Sequence, residues 1–181
     1  MIIKPTALDN VLLIKPEIYY DDRGYFYESF NEKKFKAETK ISFKGIQDNQ
    51  SYSKLGTIRG IHLQTDPFQQ AKLIRVINGE IYDVAVDLRR NSKNYCKWFG
   101  EYLSSDNHSQ LFIPEGFGHA YLVTSDSAII SYKVNNYYAP DHEQSIRYDD
   151  PKIGINWPIL DVTLSDKDQK AELINDESNY F

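Results

Sequence analysis

Two segments of the chain carry histidines at spacings that suggest chemistry. The first contains Arg59, His62 and Gln64, and the second, Ile113–His119, ends immediately before an apolar stretch. If the first segment is an extended strand, the side chains of His62 and Gln64 point to the same face as Gly60. Two imidazoles facing into a small barrel suggest a metal site, and an imidazole is also a general base near neutral pH.

The number of possible ligands argues against the metal. The Pro-x-Gly-x-x-His spacing that ends at His119 resembles the second motif of the cupin superfamily, and the segment around His62 resembles the start of the first. In that first motif a second histidine and a carboxylate normally follow, but here Gln64 replaces the histidine and no acidic residue stands at the carboxylate position. Two imidazoles fall short of a first-row metal site, and Lys72 would place a cation near it. We therefore expect no metal and interpret His62 as a proton acceptor.

Composition limits the class of protein. The chain has 181 residues, of which 41% are hydrophobic, 26% charged and 14% aromatic, and we expect residues 1–181 to form one globular domain rich in strands. The formal charge of −5 argues against nucleic-acid binding, although an anionic small ligand needs only a few local cations. The single cysteine, Cys96, excludes an internal disulfide framework, and we find no signal peptide or membrane-spanning run. We expect a cytoplasmic protein that has no membrane partner.

The elements that position these residues are predicted to be strands. Asn78-Gly79 lies between two apolar, β-branched runs, which is the pattern of a β-hairpin, and Asp83 and Val84 would lie on opposite faces of its second strand. Further strands are predicted at Val11–Ile14, Gly24–Phe30, Ile58–Leu63, Lys97–Leu103, Gln110–Ile113, Ala120–Thr124 and Ala128–Val134. Short strands at such regular spacing indicate a sandwich or barrel. Helices are predicted only at Glu32–Glu38 and at Ser165–Leu173, where Ser165 would cap the first turn.

Seven motifs, in order along the chain, resemble those of the dTDP-4-dehydrorhamnose 3,5-epimerase family. They are RGIHLQ at 59–64, AKLIRV at 71–76, GEIYDVAVDLR at 79–89, IPEGFGH at 113–119, YYAPDHE at 137–143, IRYDDP at 146–151 and GINWP at 154–158. The resemblance extends from about Thr6 to about Leu173. It implies a mainly β, cupin-type jelly-roll barrel with short peripheral and C-terminal helices. It also implies a homodimer that needs no metal or cofactor and serves rhamnose precursor synthesis.

The resemblance further implies roles for individual residues. His62 would be the base, Tyr132 the acid, Lys72 the cation beside the developing enolate, and Asp168 the carboxylate that orients His62. The expected substrate contacts are Arg23, Phe26, Glu28, Gln47, Asp48, Asn49, Ser51, Arg59, Asp83, His119, Tyr138, Glu143 and Lys167. The first three of these would reach the partner subunit's site through exchanged N-terminal strands, and Tyr138 would stack on the thymine ring.

The chemistry of this substrate class can be stated without the family. In a 4-keto hexose the carbonyl acidifies the hydrogens on C3 and C5, so epimerisation needs a base on one face, an acid on the other and a group that stabilises the enolate. A single-centre epimerase or a 3,4-ketoisomerase of a related nucleotide-linked sugar is one alternative, and a non-catalytic sugar-nucleotide binder is another. Binding alone needs no acid and base on opposed faces, so His62 and Tyr132 together favour an isomerase.

Several of these residues also have a purely structural interpretation. His119 could cap a turn, Tyr132 could pack as strand tyrosines usually do, and Asp21–Gly24 could be a plain charged turn. His108 and His142 lie in polar stretches, and we interpret both as solvated. The assignment of Tyr132 therefore depends on the family resemblance, whereas that of His62 also follows from residue chemistry.

Overall fold

The computed structural model describes residues 1–175 and 180–181. Within them the strands are β1 (Ile2–Pro5), β2 (Leu12–Lys15), β3 (Tyr19–Asp21), β4 (Gly24–Phe26), β5 (Gln47–Lys54), β6 (Ile58–Gln64), β7 (Lys72–Asn78), β8 (Glu80–Asp87), β9 (Trp98–Ser104), β10 (Gln110–Ile113), β11 (Phe117–Val123), β12 (Ser127–Val134) and β13 (Glu143–Ser145). The helices are α1 (Glu32–Thr39) and α2 (Asp166–Gln169), with one 3₁₀ turn at Pro140–His142. No helix in this part of the chain is long and apolar enough to cross a membrane.

Two antiparallel sheets face each other. One has the strand order β1-β2-β10-β7-β12-β5 and the other β13-β6-β11-β8-β9, while β3 and β4 form a separate hairpin. Buried side chains from both sheets, such as Ile74, Ala85 and Leu111, fill the space between them. The predicted mainly β, jelly-roll class is confirmed.

The outer faces of the sheets are covered by other segments. Phe35 of α1 packs on Phe112 of the six-stranded sheet, with ring centroids 5.0 Å apart. The C-terminal segment covers the five-stranded sheet with residues that include Ile146 and Ile153. α1 agrees with its prediction to within one residue, whereas α2 is shorter than predicted although Ser165 does cap it. The segment that carries α2 is thereby held beside the five-stranded sheet.

The predicted hairpin at Asn78-Gly79 is wrong. β7 and β8 are not paired, because β7 belongs to the six-stranded sheet and β8 to the other, and the chain crosses between the sheets at this point. Gly79 has φ +81°, and a Cβ there would lie 2.1 Å from the carbonyl oxygen of Ser127. A corner between sheets and a tight hairpin both require a positive φ, so the dipeptide did not distinguish them. The predicted face alternation of β8 does hold, since Ala85 packs between the sheets and Val84 packs on the outer face.

Several strands differ from the prediction. The strand predicted at Gly24–Phe30 ends at Phe26, and β1, β3 and β13 were not predicted. Two more differences concern the site. β5 was not predicted, because its sequence QDNQSYSK is polar on both faces and gives no apolar alternation. β11 begins at Phe117 rather than at Ala120, so His119 lies within a strand and does not cap a turn. Both differences matter because β5 and β11 carry side chains that face the space between the sheets.

Candidate active site

A cavity of about 240 Å³ lies between the two sheets, at the ends of β5, β6, β7 and β13. It is lined by Gln47, Asn49, His62, Leu63, Gln64, Gln70, Lys72, Tyr132, Tyr138 and Glu143. The predicted base, cation and acid are therefore brought into one cavity from strands of both sheets.

His62 on β6 is paired with an aspartate that lies 106 residues later in the sequence. Its Nε2 atom is 2.5 Å from Oδ1 of Asp168, and a parallel bridge between Thr57 and Thr163 brings the C-terminal segment alongside β6. The Ser165 hydroxyl donates to the other carboxylate oxygen at 2.8 Å. Burial would raise the pKa of Asp168, but the bonds from His62 and Ser165 outweigh it and hold that pKa below its usual value. Asp168 is thus a carboxylate that fixes the orientation of the His62 ring.

An irregularity in β6 brings Arg59 to the same face as His62. His62 is opposite His119 on β11, but the register then shifts so that Arg59 is opposite Tyr121. Because His119 and Tyr121 share a face of β11, Arg59 and His62 share the corresponding face of β6. Gly60 lies in the shifted part with φ +125°, and a Cβ there would lie 2.5 Å from the Cβ of Ala120. Strict alternation along the sequence would have placed Arg59 on the opposite face.

His119 forms a second histidine–aspartate pair, on the same sheet as His62. Its Nε2 atom is 2.7 Å from Oδ1 of Asp83 on β8, and both side chains are buried. Burial lowers the pKa of His119, and the Asp83 carboxylate opposes that effect only in part. The second oxygen of Asp83, Oδ2, is buried and has no hydrogen-bond partner among the residues described. His119 and Asp83, both predicted substrate contacts, do not line the cavity.

Lys72 enters the cavity from β7, on the sheet that faces His62. Burial lowers its pKa from the usual value near 10.5 to about 8, while the carboxylates of Asp83 and Glu143 act in the opposite direction. An amine with this pKa is mostly an ammonium ion at neutral pH. It can therefore offer a positive charge and three donors inside a partly desolvated site.

Tyr132 lies on β12, paired in register with Asn49 on β5 and Ile74 on β7. Its ring packs partly against the central core, and it also lines the cavity opposite His62. Burial raises the pKa of its phenol, with the neighbouring Tyr121 hydroxyl acting in the same direction. The side chain is therefore both a packing residue and a protonated phenol that can serve as an acid.

Tyr138 and Glu143 line the more exposed end of the cavity, its mouth, and Lys167 pairs with Glu143 there. Glu143 accepts a hydrogen bond from the Tyr138 hydroxyl, 2.8 Å from its Oε2 atom. Its Oε1 atom forms an ion pair with the Lys167 amine at 2.6 Å. These bonds hold the pKa of Glu143 below its ordinary value, against burial, which would raise it. The Tyr138 ring is about half exposed, so one of its faces is open to a flat ligand.

Gln64, the residue that replaces the expected second histidine, holds the segment that carries Tyr138. Its side-chain amide donates to the carbonyl oxygens of Phe68 and Tyr137 at 2.6 and 3.1 Å, and its oxygen accepts from the Ala139 amide at 2.7 Å. A buried glutamine whose donors and acceptor are all used is a structural brace rather than a metal ligand.

The polar strand β5 presents alternate side chains to the site. Gln47 and Asn49 line the cavity, and the Ser51 hydroxyl is 3.0 Å from the hydroxyl of Tyr121. The predicted contact Asp48 points to the opposite face, where Lys133 pairs with it at 2.8 Å, because successive strand side chains alternate. Tyr121 was missed from the sequence, although it lies two residues after His119 and so had to share its face.

The substrate contacts predicted in the N-terminal part of the chain do not line this cavity. Arg23 is at the turn between β3 and β4, where it pairs with Asp21, and Phe26 is exposed on β4. Glu28 follows β4 and pairs with Lys34. Within one chain the structure does not bring Arg23, Phe26 or Glu28 to His62.

Two histidines that we interpreted as solvated are not. His108 is buried, and its ring lies 4.9 Å from that of Tyr25 and 5.4 Å from that of Tyr27, measured between centroids. His142 is partly buried and packs on Phe68 at 4.6 Å. Their polar neighbours in sequence are not their neighbours in the fold.

The arrangement can carry acid–base chemistry. In the residues that the structure describes, no group of three or more His, Cys, Asp or Glu side chains could hold a metal ion, and each imidazole of the site faces its own aspartate. A cavity with an oriented imidazole on one sheet, and a phenol and an ammonium on the other, can take a proton from one face of a ligand and return one to the other face.

This fold and this site define a cupin-type acid–base enzyme. The family model for dTDP-4-dehydrorhamnose 3,5-epimerase matches residues 5–176. The chain belongs to this family, which confirms the resemblance found in the sequence.

Relatives and solved structures agree with this assignment. A dTDP-4-dehydrorhamnose 3,5-epimerase from Methanothermobacter thermautotrophicus is 46% identical over 179 residues, which is 97% of this chain and 96% of the relative. The crystal structure of the corresponding protein from Elizabethkingia anophelis is 41% identical with a TM-score of 0.93, covering 98% of each chain. A Legionella pneumophila epimerase solved in complex with dTDP-4-keto-L-rhamnose is 44% identical with a TM-score of 0.92, covering 94% of this chain and 91% of that one.

Proposed function

We propose that this protein epimerises dTDP-4-dehydro-6-deoxy-D-glucose at C3 and C5 to give dTDP-4-dehydro-L-rhamnose. The observation that carries the proposal is one cavity lined by His62 from one sheet and by Tyr132 and Lys72 from the other, with Asp168 of α2 bonded to the His62 imidazole. Membership of the epimerase family and the ligand of the Legionella relative support the same substrate.

The reaction moves one proton at a time. His62 takes the hydrogen from the carbon next to the C4 ketone, and the electron pair moves to the C4 oxygen to form an enolate. The Lys72 ammonium stabilises that oxygen, and the Asp168 carboxylate stabilises the imidazolium. When the carbonyl forms again, the Tyr132 phenol gives its proton to the opposite face of the same carbon. His62 then loses its proton to solvent and the Tyr132 phenolate takes one up, and the same steps at the second carbon complete the change.

The nucleotide end of the substrate binds at the mouth. Tyr138 offers a half-exposed ring for stacking on thymine, and Gln47 and Asn49 offer amides on the adjoining wall. The diphosphate carries negative charge into a protein of formal charge −5, so local cations must offset it. Arg59 and Lys167 are suitable, because the first shares the face of His62 and the second lies at the mouth beside Glu143.

We propose that the functional unit is a homodimer. The β3–β4 hairpin exposes Tyr19, Tyr20, Tyr25 and Phe26, each with more than half of its surface accessible. Aromatic surface of this kind is typical of an interface, and Arg23, which does not line this chain's own cavity, lies at the turn of the same hairpin. We also propose the cytoplasm as the compartment, since a chain with one cysteine forms no internal disulfide.

Proton exchange with solvent tests the proposal. The protein is incubated with dTDP-4-dehydro-6-deoxy-D-glucose in deuterated water, and C3 and C5 of the sugar are followed by NMR. We expect deuterium at both carbons and inversion at both. Label at one carbon would favour the single-centre epimerase or the ketoisomerase. No label at either would overturn catalysis and leave a sugar-nucleotide binder.

A further inference from the structure

Tyr121 is a buried tyrosine whose hydroxyl belongs to a chain of side-chain hydrogen bonds between the two sheets. Its Oη atom is 3.0 Å from Oγ of Ser51 and 3.4 Å from Oγ of Ser53, both on β5. The Ser53 hydroxyl in turn accepts a hydrogen bond of 3.1 Å from Nε of Arg59 on β6. The chain therefore links a guanidinium, two serine hydroxyls and a phenol from three strands.

The guanidinium fixes the direction of these hydrogen bonds. Nε of Arg59 can only donate, so the Ser53 oxygen is its acceptor. Ser53 is 4% exposed, and in the part of the chain that the structure describes the Tyr121 oxygen is the acceptor within reach of its hydrogen. A buried hydroxyl that does not donate is costly, so Ser53 donates to Tyr121 and Tyr121 donates to Ser51. The reverse order would leave the Ser53 hydrogen unused inside the core.

Ser51 is left with a hydrogen to donate. Its oxygen accepts from Tyr121, and no other hydrogen bond of the Ser51 hydroxyl exists within residues 1–175 and 180–181. Ser51 is only partly buried, and it shares the inner face of β5 with Asn49, which lines the cavity. The unused donor is therefore available to a ligand that extends from the cavity along β5.

Arg59 also has donors to offer. Arg23 and Arg147 each pair with an aspartate, whereas Arg59 has no carboxylate partner among the described residues. Its bonds to Ser53 and to the carbonyl oxygen of Tyr52, at 3.1 and 3.5 Å, hold the side chain without neutralising it. A positive charge beside a hydroxyl donor suits an anionic oxygen, and a diphosphate supplies several.

We propose that Ser53 and Tyr121 are positioning residues for the ligand's diphosphate: Ser53 holds Arg59, and Tyr121 directs the Ser51 hydroxyl to donate to the same anionic group. Each acts through the residue to which it is bonded. The identity of the ligand rests on the proposed function, whereas the direction of the chain follows from the hydrogen bonds.

A double-mutant cycle on dTDP affinity, measured by calorimetry, tests the role of Tyr121. We expect Ser51→Ala to weaken dTDP binding about tenfold, since it removes a hydrogen bond to a charged group, and Tyr121→Phe to weaken it about three- to tenfold. If Tyr121 acts through Ser51, adding Tyr121→Phe to Ser51→Ala should weaken binding by less than about twofold more. Ser51→Thr, which keeps the hydroxyl, should bind dTDP nearly as tightly as the wild type.

Two controls separate this role from a general effect on packing. Tyr102→Phe removes a tyrosine hydroxyl elsewhere, since the Tyr102 ring packs on Tyr82 at the outer face of the five-stranded sheet, and dTDP affinity should not change. Thymidine lacks the diphosphate, so its affinity, measured by NMR titration, should be the same in the wild type and in the Ser51 and Tyr121 variants.

The role of Ser53 is tested without a ligand. The protein is labelled with ¹⁵N-arginine, the Nε–H signal of Arg59 is assigned by its absence in Arg59→Lys, and its exchange with solvent is followed by NMR. We expect exchange to become about tenfold faster in Ser53→Ala, because the hydrogen bond that protects Nε–H is lost. Tyr121→Phe leaves that bond in place and should change the exchange much less.

Several results would overturn the proposal. They are additive losses of dTDP affinity in the cycle, normal affinity in folded Tyr121→Phe or in Ser51→Ala alone, and unchanged exchange of Arg59 in Ser53→Ala. The Ser51 variants decide the matter even where Tyr121→Phe does not fold. A wild type that binds dTDP, shows the non-additive cycle and yet turns over no sugar nucleotide would leave the inference standing and overturn the proposed function. A wild type without measurable dTDP affinity would overturn both.

Discussion

His62 and His119 are opposite each other on adjacent strands, and each imidazole is bonded to an aspartate, yet their surroundings differ. The side chain of His62 is 27% exposed and lines the cavity, and its partner Asp168 arrives on the C-terminal segment. His119 and Asp83 are both on the five-stranded sheet, and the His119 side chain is only 8% exposed. A histidine–aspartate pair alone therefore does not identify a base. The role of such a pair depends on whether the imidazole can reach a ligand and on which other groups the aspartate is bonded to.

The two pairs also use their second carboxylate oxygens differently. In Asp168 the second oxygen accepts a hydrogen bond from the Ser165 hydroxyl, so both carboxylate oxygens are bonded and the first is held against His62. In Asp83 the second oxygen is buried and has no hydrogen-bond partner among the residues that the structure describes. The two pairs therefore differ in that both carboxylate oxygens are hydrogen-bonded in the first and one of the two in the second.

The largest expected effect comes from removing the exposed imidazole. In His62→Ala we expect deuterium exchange at C3 and C5 to fall by about 10⁴-fold, the upper range for a general base, while dTDP still binds. Exchange measured by NMR and nucleotide affinity measured by calorimetry separate the two effects. Near-normal exchange would show that His62 is not the base and would remove the contrast with His119.

Removing the facing acid should have the next largest effect. In Tyr132→Phe we expect the proton still to be removed but not returned to the other face, with turnover reduced by about 10³-fold. The measurement compares deuterium incorporation with inversion at each carbon. If this variant inverts both centres normally, Tyr132 is only a packing residue.

Asp168, the partner of His62, is tested by a substitution that keeps the shape of the aspartate side chain. Asp168→Asn keeps a hydrogen bond but favours the wrong ring tautomer, and we expect kcat to fall by about 10²-fold or more. A matched change, Asp150→Asn, alters a buried aspartate that bonds backbone amides of Ile153 and Ile174, away from the cavity. Equal losses of kcat in the two folded variants would count against an orienting role for Asp168.

The buried pair should instead appear in the pH dependence of stability. Because burial lowers the pKa of His119 in the folded state, the unfolded chain takes up a proton first as the pH falls through about 6.5. The free energy of unfolding should then decrease by up to about 1.4 kcal/mol per pH unit, down to the folded pKa. Urea unfolding between pH 7 and pH 5.5 measures this slope. His119→Asn, which does not titrate, should show a shallower slope, and parallel curves would contradict the buried, neutral state of His119.

The smallest expected effect is that of chelation. If neither imidazole holds a metal, exhaustive treatment with a chelator should leave kcat unchanged. Adding back zinc, manganese or iron in turn provides the control. Activity that falls with chelation and returns with one metal would place His62 and His119 in a single metal site and end the comparison between them.

The sequence predicted much of this site and only part of the fold around it. His62, Lys72 and Tyr132 were predicted to share a site, and they line one cavity. The turn at Asn78-Gly79 was misread, because a positive φ is needed both by a hairpin and by a crossing between sheets. β5 was missed because its inner face lines the site with polar side chains, which is where apolar alternation fails as a guide.

The sequence by itself determined the chemical groups, their order along the chain and the family to which they belong. It also determined which neighbours share a face of β8, because strand alternation is local. Only the tertiary structure decided that Asp168 meets His62 from 106 residues away, and that Arg59 joins His62 through the shifted register at Gly60. It also decided that His119 on β11 bonds to Asp83 on β8. Spacing along a strand fixes the face of the sheet to which each side chain points, but burial and contacts between distant segments are set by how the two sheets pack.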